Sequence, residues 1–296
     1  MTNGTRVLLA VLVLVAIWYV WRWVALERLR RSGAAQAPRV SDILLGFVTN
    51  FFDALGIGNF APTTAAFKLM RRMPDENIPG TLNAGHTPPV LVEALIFIAA
   101  VAVDIKTLLG MIVASVLGAW LGAGIVGRLS RRRVQLGMGI ALLLAATLFL
   151  AANLHWMPQG GDAIGLTDGR LLLAIGVNFC LGALMTLGIG LYAPCLILVS
   201  LLGMNPLAAF PIMMGSCALL MPVAGLRFIR AARYDAAAAV GLALGGIPGV
   251  LIAALIVKSL PLVWLRWLVV AVVVYAAVMM LHSAYRDRHS TSEANP

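Results

Sequence analysis

Charge is what this chain has least of. Only 11% of its 296 residues are Asp, Glu, Lys or Arg, while 61% are hydrophobic and the mean hydropathy is +0.95. A soluble domain carries about a quarter of its residues charged, so that class is excluded, and apolar runs recurring from residue 7 to residue 282 identify a polytopic membrane protein. Acids are scarcer than bases, 12 Asp+Glu against 22 Lys+Arg, for a net charge of +10. Nucleic acid as a partner is nevertheless argued against, because the bases stand in short clusters between apolar runs, where membrane topology places them. Cysteine is also rare. Cys180, Cys195 and Cys217 all fall in apolar segments of the second half at no metal-ligand spacing, so they read as small packing residues, with no metal and no cofactor expected. HExxH and GxSxG motifs are absent as well, which leaves a membrane-embedded enzyme without recognisable catalytic machinery.

A cleavage signal is missing too. The first apolar segment, Val7 to Leu26, is followed by Arg28, Arg30 and Arg31 and by no clear small-residue cleavage site. A retained transmembrane helix is expected, with its N-terminus outside and its basic flank in the cytoplasm.

What is present, twice, is a break inside apolar sequence: GIGNFAP from Gly56 to Pro62 and GIGLYAP from Gly188 to Pro194. Two glycines and a proline within seven residues oppose a continuous helix, since glycine loosens the ladder and proline removes a donor. Unpaired backbone in hydrocarbon costs several kcal/mol per group, so such breaks persist only where protein or a water-filled cavity surrounds them. Both are therefore candidate binding sites. The first broken element is expected over residues 41–70, with Ser41 as N-cap and Asp42 in the first turn. Its arms of 15 and ten residues reach about 22 and 15 Å, short of a core about 30 Å thick. Spans follow at 81–103, 107–126 and 134–153. The pattern then restarts with a broken element from 170 to 202 and spans at 207–226, 234–257 and 261–281.

The two GIG motifs start 132 residues apart, at 56 and 188. Gly85 matches Gly215 at an offset of 130, and the segment from Gly118 matches that from Gly249 at 131. The halves read as divergent copies, a transporter-style repeat. If the first broken element crossed the bilayer, Arg39 and the group Lys68, Arg71, Arg72 would lie on opposite sides; if it returns, both are cytoplasmic. The returning reading also places Arg128 to Arg133 and Arg227 to Arg233 inside and the loop 155–168 outside. Each half is then one re-entrant hairpin and three spans, an odd number of crossings, so the repeats are inverted. The expected fold is all-α: an N-terminal transmembrane helix and linker (1–40), repeat 1 (41–158), repeat 2 (170–285) and a cytoplasmic tail (286–296).

These motifs resemble the TauE/SafE family of sulfite and organosulfonate exporters, over roughly residues 40 to 285. The resemblance rests on a Gly-rich motif followed by proline and, one segment later, a small-polar motif, here NAGHT (Asn83 to Thr87) and MGSC (Met214 to Cys217). The family motif often has a third glycine, where this chain has Asn59 and Leu191. What the resemblance implies is secondary transport of a small sulfur-containing or organic anion in a bacterial inner membrane, linked to protons.

With Pro62 and Pro194 in the first turns of returning half-helices, free N–H groups of residues 59–63 and 191–195 are expected to face a shared anion near the midplane. Gly56, Gly58, Gly188 and Gly190 would open the backbone there; the alternative role for them is close helix packing. Asn59, Thr63, His86, Thr87, Tyr192, Cys195 and Ser216 are candidate substrate ligands, with packing as the alternative for each. Carboxylates at membrane depth cost at least about 2.5 kcal/mol and mark function by default. Asp53 and Glu93 are therefore candidate proton carriers, with His86 as a site residue or relay. Their counterparts in the second half, Met185, Val223 and Ser216, do not ionise. The expected partners are the anion, protons and membrane lipid; a homodimer is allowed and not required. A passive anion channel is the alternative function, with an embedded enzyme or assembly subunit behind it.

Overall fold

Helices carry this chain wherever the sequence is apolar, because a helix pairs its own backbone groups within one segment. The structure is a computed structural model that describes residues 2–30, 36–126, 131–154, 161–185, 191–259 and 261–293. Within these, α1 (Asn3–Arg30) is followed by α2 (Val40–Ala54), α3 (Phe60–Leu69), α4 (Ile78–Ala100), α5 (Ile105–Val126) and α6 (Arg131–Asn153), then α7 (Asp168–Met185), α8 (Tyr192–Leu201), α9 (Ala209–Arg230), α10 (Ala236–Ser259) and α11 (Leu262–Glu293). Among the described residues there is no strand, only one bridge between Ala163 and Met204. Five stretches among them are long and apolar enough to cross a membrane: 3–29, 78–100, 168–185, 206–230 and 236–256. This is a multi-pass membrane protein.

The order of elements runs twice. Residues 75–77 and 206–208 form short 3-10 turns, each leading into a long helix, and α3 and α8 are ten-residue helices at an offset of 132. Their backbone bonds match one for one. Thr63 N–H donates to Asn59 O at 3.2 Å as Cys195 N–H does to Leu191 O at 3.0 Å, and Arg72 N–H donates to Phe67 O at 3.0 Å as Met204 N–H does to Val199 O at 3.2 Å. Two details differ from expectation. Helix α2 starts at Val40 after Arg39, with no side-chain cap, so Ser41 lies inside the helix. Residues 286–293, expected as tail, continue α11.

Each broken element is tied at its base. At the base of the first, Arg72 beyond α3 meets Asp42 at the start of α2, with Nη2 2.9 Å from Oδ2, and Nη1 reaches Asp235 Oδ2 at 3.0 Å. Asp42 is fully buried and Arg72 nearly so, so each charge needs the other. Hydrogen bonding to Asp42, then the nearby Asp235, raises the already high proton affinity of the Arg72 guanidinium. At the base of the second, backbone serves: Asn205 N–H donates to Ala163 O at 2.9 Å.

The chain divides into two compact units that do not follow its halves. One comprises residues 1–105 and 214–259, the other 106–213 and 260–296. In the first unit α2 lies on α10 at glycine distance: a Cβ placed on Gly249 would stand 2.4 Å from the Phe47 carbonyl oxygen. In the second, α7 lies on α5 in the same way, with a Cβ on Gly118 standing 1.9 Å from the Phe179 carbonyl oxygen. Gly118 and Gly249 are repeat partners, and so are Phe47 and Phe179. The same contact is thus made in both units, each time between a helix of one half and a helix of the other.

Helix α1 belongs to the first unit. Pro88 has no N–H to give the carbonyl of Ala84, one turn earlier. The Tyr19 hydroxyl donates to it instead, at 3.0 Å, from a fully buried ring. Trp23 Nε1 donates to the Tyr234 hydroxyl at 3.0 Å, and that hydroxyl donates to Glu27.

Candidate functional site

The first break is a tight, glycine-dependent turn. Leu55 ends α2, and Gly56 and Gly58 then take φ of 93° and 88°, a left-handed conformation that costs a side-chain-bearing residue of order 1–2 kcal/mol. A Cβ at Gly58 would meet nothing within 4 Å, so the requirement is conformational rather than steric. Asn59 is the N-cap of α3 and Pro62 occupies its third position, where a missing N–H costs little. In the second break Leu191 caps α8 and Pro194 holds the same position. Gly188 and Gly190 lie outside the described residues.

The turn brings six polar side chains together, all buried: Asn50 and Asp53 from α2, Asn59, Thr63 from α3, and His86 and Glu93 from α4. Asn59 Nδ2 donates to Asp53 Oδ2 at 2.7 Å and to Asn50 Oδ1 at 3.0 Å. Asn50 Oδ1 lies 3.1 Å from His86 Nδ1, and His86 Nε2 lies 3.1 Å from Thr63 Oγ1. The Phe60 ring covers the imidazole, centroids 6.0 Å apart.

Two chemical consequences follow. An ionised carboxylate only accepts hydrogen bonds, and Asp53 Oδ2 has Asn59 Nδ2 as its donor. The second concerns the helix end. Of the N–H groups of residues 59–63 expected to face an anion, Pro62 has none and Thr63 uses its own within the helix. Those of Asn59, Phe60 and Ala61 precede the helix's own ladder. In α8 the Cys195 N–H is likewise used within the helix.

Other expected site residues fall elsewhere. Thr87 is buried, and its hydroxyl donates to Asn83 O at 2.5 Å. Ser216 is buried on α9 in the same unit, while Tyr192 and Cys195 are buried in the other. Asn50, which bridges Asn59 and His86, has no sequence signal that sets it apart from other polar residues near the break. The Arg72–Asp42–Asp235 group had no sequence signal beyond the basic pair at 71–72. Tyr19 did have one: a proline four residues after Ala84 announces a carbonyl in need of a donor.

Compared with known proteins, residues 2–149, half of the chain, match the family model described as sulfite exporter TauE/SafE. The chain belongs to the TauE/SafE family. No curated protein and no solved structure matches it. TauE/SafE proteins are membrane transporters rather than enzymes, and membership implies a transporter of the sulfite or sulfur-anion exporter type. The match spans α1 to most of α6, so the TauE/SafE region contains the whole polar cluster.

Proposed function

We propose that this chain is a secondary transporter that moves sulfite, an organosulfonate or a similar small anion across the bacterial inner membrane together with protons. Family membership supports the anion. The observation that carries the proton coupling is the buried Asp53 carboxyl held against the N-cap residue of α3, its Oδ2 2.7 Å from Asn59 Nδ2. An ionised Asp53 occupies that helix start as an internal anion and repels an incoming one. Protonation of Asp53 removes the charge and leaves the positive helix end, worth about half an elementary charge, to the substrate. Anion and proton then favour each other's binding, and the coupling is reciprocal. Asn59, Thr63 and His86 are the proposed ligands in the first half. In the second half the proposed ligands are Tyr192, Pro194, Cys195 and Ser216, with Gly188 and Gly190.

The proposed topology keeps both broken elements re-entrant and the two halves inverted. Each hairpin's closure at its own base supports a returning chain. Seven spans, the N-terminus outside and the C-terminus in the cytoplasm complete the proposal, supported by Arg128, Arg131 to Arg133, Arg227, Arg230 and Arg233 on one side.

The test is sulfite flux into proteoliposomes with and without an imposed proton gradient. The proposal expects flux to rise at least tenfold when protons run in the same direction as sulfite. Equal flux under both conditions identifies a passive route.

A further inference from the structure

The hydrogen bonds around His86 determine which of its nitrogens exchanges a proton. Asn50 Nδ2 donates to the Gly46 carbonyl at 2.7 Å, which fixes the amide's orientation and turns Oδ1 toward the cluster. That oxygen only accepts, so His86 Nδ1, 3.1 Å away, carries a hydrogen in every protonation state. Nε2 is therefore the exchanging atom, and its partner is the Thr63 hydroxyl. This hydroxyl has one proton and two acceptors, Nε2 at 3.1 Å and the Asn59 carbonyl at 2.7 Å. With a neutral ring the hydroxyl donates to Nε2. When Nε2 gains a proton, the ring donates to Thr63 Oγ1, and the hydroxyl turns its own proton to Asn59 O. One proton is taken up, Thr63 loses none, and the carbonyl that starts α3 gains a donor.

We propose that Asn50 is a positioning residue that holds His86 as the Nδ1–H tautomer, and that Thr63 transmits the charge state of Nε2 to the start of the half-helix. The role in transport rests on the proton-coupled reading above; the tautomer does not. The titratable groups near the ring are Asp53 from α2, which accepts from Asn59 Nδ2, and Glu93 from its own helix, both buried. Helix α1 brings Tyr19 to Ala84, α3 carries only the exposed Lys68, and α10 has no titratable residue between 236 and 256.

The test is nitrogen NMR of the full chain in lipid bilayers with 15N-labelled histidine, the His86 signals assigned by their loss in His86→Gln. In the unprotonated ring, Nδ1 is expected to carry the hydrogen and Nε2 to be bare. Asn50→Leu should lose this preference and populate the Nε2–H tautomer. Thr63→Val should shift the half-protonation pH of His86 by about half a unit or more, the size of one hydrogen bond, with Thr63→Ser restoring it. An Nε2–H tautomer in the wild type, which requires no variant, overturns the proposal; so does an unchanged ring in a folded Asn50→Leu. Failed sulfite flux with the expected spectra removes the transport reading alone.

Discussion

The two breaks share a backbone and differ in chemistry. Helices α3 and α8 have the same length and position, the same proline and the same terminal hydrogen bonds, and each follows a helix held at glycine distance by α10 or α5. Around the first, however, stand Asn50, Asp53, Asn59, His86 and Glu93; the partners of these positions in the second half are Gly182, Met185, Leu191, Ser216 and Val223. The hairpin bases differ likewise, one closed by a buried arginine between two aspartates and the other by a backbone bond. The geometry of a half-helix start occurs twice, while carboxylates and a histidine stand beside only the first break. A geometry required twice and a proton site required once would give this distribution.

The largest expected effect lies at the bases. Arg72→Met leaves Asp42 buried without its partner and is expected to cost about 3–5 kcal/mol. The corresponding Met204→Leu, which touches no ion pair, should cost less than about 1.5 kcal/mol. Thermal unfolding in detergent measures both, and equal losses would erase the distinction between ionic and backbone closure.

Next come the shared contacts. Gly249→Ala and Gly118→Ala each press a methyl group against a carbonyl oxygen, at 2.4 and 1.9 Å, and should destabilise by about 1–3 kcal/mol apiece, Gly118 the more. A loss at one site only would show that the packing is not equivalent. Smaller again is Asn59→Leu, which installs the second half's residue in the first. Asp53 and Asn50 each lose a side-chain donor, at about 1–2 kcal/mol in total stability. The pH dependence of sulfite flux should change with it, whereas Leu191→Met should leave that dependence unaltered.

Much of this arrangement was legible in the chain itself, for local reasons. Glycine and proline signal a break wherever they fall, so the arms of 15 and ten residues were readable, and the 132-residue offset reappears in α3 and α8. Asp53 and Glu93 stood out because ionisable residues are costly in an apolar run. What remained hidden depends on long-range pairing. Nothing local to Phe47 or Phe179 indicates that each lies against a glycine of the other half, so the make-up of the compact units was not readable. The same holds for Asp42, taken as a helix-start acid but bound to Arg72 from beyond the hairpin. Asn50 was underrated because its importance comes from holding two neighbours at once, which only the folded turn reveals. The helix-end donors were overcounted because the Thr63 N–H is already used by the Asn59 carbonyl one turn earlier.

The central claim, that the ionisable first break couples protons to the anion, is tested most directly by following internal pH in proteoliposomes during downhill sulfite movement. The wild type is expected to carry protons along with sulfite, and Asp53→Asn, which keeps the volume and the hydrogen bond from Asn59 but not the exchangeable proton, to lose that pH change at least tenfold. An Asp53→Asn protein that still moves protons with sulfite at the wild-type ratio would contradict the account.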